Sequence, residues 1–248
     1  MKEHKISVIV ATRNEEKRLG KLLRSIKRQD YKDYEVIIGD YASTDRTTSI
    51  AKRHGFTVVN SKIRGVGAGR NAALKKAKGD VIAFIDADYI LPKELFRKAI
   101  EGLYGEGNEN VIAVQPMSKP NLSEIPSGKR KGVIRLSKAV NLTASLSFRF
   151  SPIPIAWGCV FLKREVLDKV GHFNERVLFA EDIELYTRIR KRYTRKEYSF
   201  KILDCMVTMS YRRFINKGIY RTLLFYFKEL IKTLVKKESN TYLELVRD

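Results

Sequence analysis

The stretch Val81-Ile-Ala-Phe-Ile-Asp-Ala-Asp88 decides how this chain folds. Five consecutive apolar residues ending at two aspartates read as a strand covered on both faces. Strands of that kind belong to parallel sheets, which need crossover helices between them. The upstream sequence alternates in that way. Residues 5–11 (KISVIVA) form a β-branched run, and Leu19, Leu22, Leu23 and Ile26 recur behind it at helical spacing. Residues 34–39 (YEVIIG) predict a second strand. Residues 40–45 predict a turn in which Ser43 or Asp45 caps a helix carrying Ile50 and Ala51. Residues 56–59 predict a third strand, and a Gly-rich turn leads into a helix over 71–77. The rhythm predicts an α/β fold, a Rossmann-like, mostly parallel sheet flanked by helices.

Downstream the pattern loosens. Residues 111–117 predict a strand, 118–131 a polar loop carrying Lys129-Arg-Lys131, and 153–162 a buried strand through Trp157-Gly-Cys159. Short helices are expected over 164–170 and 181–192, with a loop over 171–179. Beyond Arg212-Arg213, apolar residues from Ile219 to Leu234 keep helical spacing. The simplest partition is one domain over 1–210, halved near residue 117, with a basic amphipathic helical appendage over 211–248.

Ligands of open parallel sheets bind beyond the carboxyl ends of the strands. That rule lines up Thr12, Asp40 and Asp86-Ala-Asp88 along one rim. In an extended segment residues i and i+2 point the same way, so both aspartates can face one ligand. Two hard oxygen donors suit Mg²⁺ or Mn²⁺, with substrate phosphates and water completing the shell. A solvated turn is the plainer reading of a lone Asp-X-Asp, and the company of Asp40 argues against it. Asp40 itself suits a nucleobase imide or a ribose. Arg64-Gly-Val-Gly-Ala-Gly-Arg70 resembles a phosphate cradle, and Arg70 is a candidate diphosphate partner or a surface arginine. It lacks the dinucleotide fingerprint, so no nicotinamide cofactor is expected. Glu181-Asp182 heads a helix, where acidic residues commonly just complement the dipole. His4, His54 and His172 show no metal-ligand spacing.

In this order the motifs resemble the family 2 glycosyltransferases, inverting enzymes with a GT-A fold. The resemblance rests on Ser7-Val-Ile-Val-Ala-Thr-Arg-Asn-Glu15, Glu35-Val-Ile-Ile-Gly-Asp-Tyr-Ala-Ser-Thr-Asp45, Gly69-Arg-Asn-Ala-Ala-Leu74 and Asp86-Ala-Asp88. It continues through Gly158-Cys-Val-Phe-Leu-Lys-Arg164, Gly171-His-Phe-Asn174 and Glu181-Asp182, then Tyr211-Arg-Arg-Phe214. It implies that Thr12, Asn14 and Asp40 hold the nucleoside, that Arg70 and Asp86 contact the sugar nucleotide, and that Asp88 and Asp86 hold Mn²⁺ or Mg²⁺. Asp182 would be the general base, with Glu181 and Trp157 on the acceptor side. The expected donor is a nucleoside diphosphate-sugar, UDP before GDP, and the acceptor a glycan, lipid or lipid-phosphate. Tyr41-Ala42, Ala11 and His172 depart from the family pattern, so base and sugar do not follow from it.

Charge bears on the partners. The 248 residues carry 49 Lys+Arg against 28 Asp+Glu, a net +21, which calls for an anionic partner. With 44% apolar residues the chain has material for a core, and two cysteines make no disulfide scaffold. They read as reduced thiols of a cytoplasmic protein. No signal peptide and no transmembrane run is expected. The basic excess gathers after about residue 183. It suits the inner face of an anionic membrane, to which the C-terminal helix would bind peripherally. Packing of that helix on the domain, or on a second copy in a homodimer, is equally open. No nucleic-acid motif is present, so no nucleic acid is expected as partner. A nucleotidyltransferase that forms sugar nucleotides, and a non-catalytic polyanion binder, remain the alternatives.

Overall fold

The computed structural model describes residues 4–156, 158–218, 221, 222, 224, 225 and 228. The first half follows the alternating pattern: β1 (Ile6–Thr12), α1 (Leu19–Lys27), β2 (Tyr34–Asp40), α2 (Thr47–Arg53), β3 (Thr57–Asn60), α3 (Val66–Leu74) and β4 (Val81–Ile85). A two-residue β5 (Tyr89–Ile90), α4 (Leu95–Tyr104) and β6 (Val111–Pro120) follow. Two 3-10 turns lead to the long α5 (Arg130–Phe150), then β7 (Cys159–Lys163), α6 (Arg164–Val170), α7 (Glu181–Arg192), β8 (Ser199–Met209) and α8 (Arg212–Lys217).

Among the described residues the eight strands make one sheet in the order β3-β2-β1-β4-β7-β6-β8-β5. The run β3-β2-β1-β4 is parallel throughout; β7 is antiparallel to both β4 and β6, and β5 to β8. Strand alternation divides the apolar side chains between two cores, as a doubly covered sheet requires. Val8 and Val10 of β1, Val36 and Ile38 of β2, and Ala83 and Ile85 of β4 pack on the face of α1 and α4. Ile9, Ile37, Ile82 and Phe84 pack on the other face with Ala73, Leu185 and Ile189.

Several expected boundaries move, each for a physical reason. The Gly-rich turn is not a turn: α3 begins at Val66 and runs through Gly67 and Gly69. These glycines serve packing. A Cβ at Gly39 would lie 1.9 Å from the Gly69 carbonyl oxygen, so strand and helix touch backbone to backbone. The expected strand over 153–162 shortens to β7, starting at Cys159. The expected polar loop over 118–131 is instead the end of β6, the two 3-10 turns and the start of α5. Phe148 seats α5 against Phe200, ring centroids 4.8 Å apart, while Arg190 Nη2 donates to the Phe148 carbonyl at 2.7 Å. Most of the expected C-terminal helix, and with it the dimer contact placed there, lies outside the described residues. No described helix is long and apolar enough to cross a membrane.

Candidate active site

The rim expected from the sequence is present, and it holds two clusters. The first lies at the ends of β1 and β2, where Thr12 and Asp40 are register partners. Thr12 Oγ1 donates to Asp40 Oδ1 at 3.0 Å, and Ser43 donates its N–H (2.9 Å) and hydroxyl (2.5 Å) to the same carboxylate. Asp40 is 3% exposed. Its carboxylate is thus engaged within the protein. The loops after β1 and β2 are laced together above it. Asn14, in the left-handed region at φ 55°, donates its N–H to Ser43 Oγ (2.9 Å) and accepts from Thr44 N–H (2.8 Å). Glu15 N–H reaches Thr47 Oγ1 at 2.8 Å, and Glu16 N–H reaches Asp45 Oδ2 at 3.1 Å. Asp45 also accepts from Thr47 N–H at 2.9 Å, but the cap position of α2 is Arg46 and no side chain caps it, so neither Ser43 nor Asp45 is the helix cap expected there. Of Thr12, Asn14 and Asp40, only Asn14 is exposed.

The second cluster joins distant parts of the chain. Arg70 projects from α3 and is bonded through Nη2 to Asp86 Oδ1 at 2.8 Å and through Nη1 to Glu181 Oε1 at 2.9 Å. Its side chain is 5% exposed, whereas that of Asp86 is 42% exposed. The rings of Phe84 and Phe173 flank the guanidinium at 5.8 and 5.1 Å. Arg70 is therefore not a surface arginine, and two of its five N–H donors are already placed on carboxylates. Burial works against its charge, but Asp86, Glu181 and Asp182 outweigh that and hold it firmly protonated. Glu181 shares this arginine with Asp86. Burial dominates there, with Asp182 adding repulsion, and lifts its carboxyl to about 7. Asp182 is raised as well, by burial first and against the pull of Arg70.

Local backbone places these acids. Ala180 precedes α7 at φ 57°, a left-handed conformation that strains an alanine and turns the chain sharply into Glu181. Asn71, next to Arg70, clamps the loop ahead of α7: its Nδ2 donates to the Phe173 carbonyl (2.9 Å) and its Oδ1 accepts from Phe173 N–H (3.0 Å).

The Asp86-Ala-Asp88 segment departs from the expected extended geometry. It is a turn, closed by Tyr89 N–H to the Asp86 carbonyl at 3.3 Å. Both aspartates are partly exposed while Ala87 and Tyr89 between and after them are buried, so the carboxylates still share the outer side. The adjoining β7 approaches closely: Asp86 N–H donates to the Gly158 carbonyl at 2.7 Å, and a Cβ on Gly158 would sit 1.8 Å from Asp86 Oδ2. Any side chain there would displace the Asp86 carboxylate. Trp157 lies outside the described residues. Among those described, no group of three or more His, Cys, Asp or Glu is arranged to hold a metal. The donor set at the turn is two hard carboxylates, which fits a divalent cation that takes its other ligands from a diphosphate and water.

The structure also adds residues that the sequence reading did not single out. Arg212 of α8 grips Glu15 beside the first cluster, Nη2 to Oε1 at 2.7 Å and Nη1 to Oε2 at 3.5 Å. The Tyr211-Arg-Arg-Phe214 motif offered the signal, but its partner 197 residues away could not be read from it. Both cysteines are buried and free. Of the histidines, His4 stacks on Tyr104 at 3.6 Å.

A parallel β3-β2-β1-β4 half, crossed by an antiparallel strand beside a carboxylate turn and faced by an acidic helix, is the architecture of a GT-A nucleotide-sugar fold. The family description "Glycosyl transferase family 2" matches residues 7–171, and the chain belongs to that family. The poly(ribitol-phosphate) β-N-acetylglucosaminyltransferase TarS of Staphylococcus aureus is 31% identical over 192 residues, 74% of this chain and 32% of that protein. The chain thus spans about a third of the length of that relative. A GalNAc(5)-diNAcBac-PP-undecaprenol β-1,3-glucosyltransferase of Campylobacter jejuni is 29% identical over 93% of this chain and 74% of its own length. Among solved structures, the mannosyltransferase PcManGT of Pyrobaculum calidifontis, in complex with GDP-Man and Mn²⁺, superposes with a TM-score of 0.64. It is 26% identical, over 84% of this chain and 57% of that one.

Proposed function

We propose that the chain transfers a sugar, with inversion, from a nucleoside diphosphate-sugar to a glycan or lipid-linked acceptor. The observation that carries this reading is the Arg70 bridge, which fixes the carboxylate turn at the end of β4 against the acidic entrance of α7. A transfer site needs both: one place for the departing diphosphate and one for a base acting on the acceptor.

The nucleoside is assigned to the rim at Thr12, Asn14 and Asp40. Because Thr12 and Ser43 already bond Asp40, that carboxylate shapes the floor and Asn14 supplies the exposed amide. Asp86 and Asp88 are the residues that would hold Mn²⁺ or Mg²⁺. When bound, such a cation neutralises charge developing on the diphosphate. Arg70 acts as a positioning residue for Asp86 and adds positive potential behind the same phosphates. Asp182 is assigned as the base that takes the acceptor hydroxyl proton while its oxygen attacks the anomeric carbon. A raised carboxyl is the stronger base once ionised, which suits this task. Glu181, held by Arg70, keeps the start of α7 in place beside it.

Solved structures of this fold hold either base, as in PcManGT with GDP-Man and TarS with UDP-GlcNAc, so donor choice calls for measurement. The test is a thermal-shift and hydrolysis screen of UDP- and GDP-sugars with Mn²⁺, Mg²⁺ or chelator. A shift and slow hydrolysis that depend on the cation are expected. If no nucleoside diphosphate-sugar is bound or hydrolysed with either cation present, the reading is wrong.

A further inference from the structure

We propose that α5 is a membrane-docking helix whose outer face enters the interface of an anionic bilayer. Four residues, Val133, Ser137, Ala144 and Phe148, turn one side of this helix to the protein. The opposite side carries Leu142, Leu146 and Phe150, exposed by 62, 51 and 49%. At about 100° per residue these three form one stripe. Arg135, Lys138 and Arg149 project beside it, so the apolar stripe has a cationic border. At its end the Phe150 ring is approached by the guanidinium groups of Arg149 and Arg195, at 5.3 and 5.8 Å.

Charge selects the occupant. Residues 125–164 hold eight Lys and Arg and no Asp or Glu. A second copy of this chain would set one such helix against another and find no complementary charge. An anionic lipid surface offers both parts of what the helix presents: acyl chains for the stripe and phosphates for its border. An apolar stripe of this kind facing water on a soluble surface marks an interaction site. The position is apt as well. From Phe150 the chain reaches Gly158, against Asp86, in eight residues, so a short connection ties α5 to the carboxylate turn. This surface differs from the C-terminal segment to which the basic excess was first assigned, and it stands independently of the sugar chemistry.

The test is co-sedimentation of the full chain with vesicles of phosphatidylglycerol and phosphatidylcholine, or of phosphatidylcholine alone, at low and high salt. Binding is expected only to the anionic vesicles and to weaken with salt. Leu142→Glu/Leu146→Glu should lose at least about tenfold in binding, and Arg135→Ala/Lys138→Ala roughly fivefold per charge removed. Melting temperature and nucleotide-sugar hydrolysis without membranes should stay as in the parent. A polarity-sensitive dye on Leu146→Cys, selective because Cys159 and Cys205 are buried, should shift to the blue with anionic vesicles. Absence of parent binding, full binding by the double glutamate variant, or an unmoved dye would each overturn the proposal. So would a parent dimer that the glutamates split without any loss of vesicle binding. A chain that hydrolyses its donor yet ignores vesicles overturns this proposal and leaves the transfer reading standing.

Discussion

The two clusters on the rim are built by opposite chemistry. At the ends of β1 and β2, Asp40 is satisfied by hydroxyl and amide donors from Thr12 and Ser43, and the loops above it are laced by short-range polar bonds. Between β4 and α7, a buried guanidinium is shared by carboxylates 16 and 111 residues away in sequence. Neutral donors to one carboxylate can be lost one at a time. A buried guanidinium that serves two acids cannot, because its loss leaves both carboxylates without their cation. The first cluster should tolerate trimming, and the second should fail as a unit.

The largest effect is expected at the carboxylate turn next to the second cluster. Asp88→Asn keeps the shape of the turn and removes a charge; turnover should fall by about 10²–10³ or more, with the melting temperature little changed. Steady-state kinetics with added Mn²⁺ would check it. Arg70→Met comes next. It leaves Glu181 buried without its cation, and urea denaturation should show a loss of about 3–5 kcal/mol. Adding Glu181→Gln should recover part of that loss, a coupling that a double-mutant cycle measures.

A smaller effect follows from the raised Glu181 carboxyl. Between its ordinary value near 4.5 and about 7, the folded protein holds a proton that the unfolded chain has released. Stability should therefore fall as pH rises through that window, by at most about 1.4 kcal/mol per unit from this group. Glu181→Gln should flatten the slope in denaturant midpoints measured across it. Turnover should move the opposite way, rising as Asp182 ionises above the usual aspartate range. The mildest change is Thr12→Val, which removes one of the three donors to Asp40. It should cost about 1 kcal/mol in urea and leave turnover within a few-fold, since Ser43 still holds the carboxylate.

The same contrast explains what the sequence disclosed. The strands β1, β2 and β4 were legible because covering both faces demands unbroken apolar runs, and the rim followed from their ends. Asp40 and Asp86-Ala-Asp88 were placed at those strand ends in this way. Arg70 was found as a residue, but its contacts were not, because Glu181 reaches it only through tertiary structure. The glycines around it misled for a related reason. Glycine is unfavourable inside a helix by about 1 kcal/mol, so Gly67 and Gly69 read as a turn, and the need for them is visible only when Gly39 lies against Gly69 and Phe173 and Glu181 lie against Gly67. Helix α5 escaped notice because apolar residues on both sides blur its period. Helix α4 lies outside the expected elements although Leu95, Phe96, Ala99, Ile100 and Leu103 recur at helical spacing.

The contact between Gly39 and Gly69 has one more consequence. Side-chain packing is compressible in small ways, through rotamers and neighbours that give, but two peptide backbones in contact have nothing left to yield. The distance from the sheet to α3 is therefore set by atoms that no substitution can shorten. Arg70 starts from the residue next to that contact, so its reach toward Asp86 on one side and Glu181 on the other begins at a fixed origin. The glycine pair works as a ruler for the site, and a methyl group at either position would change its scale.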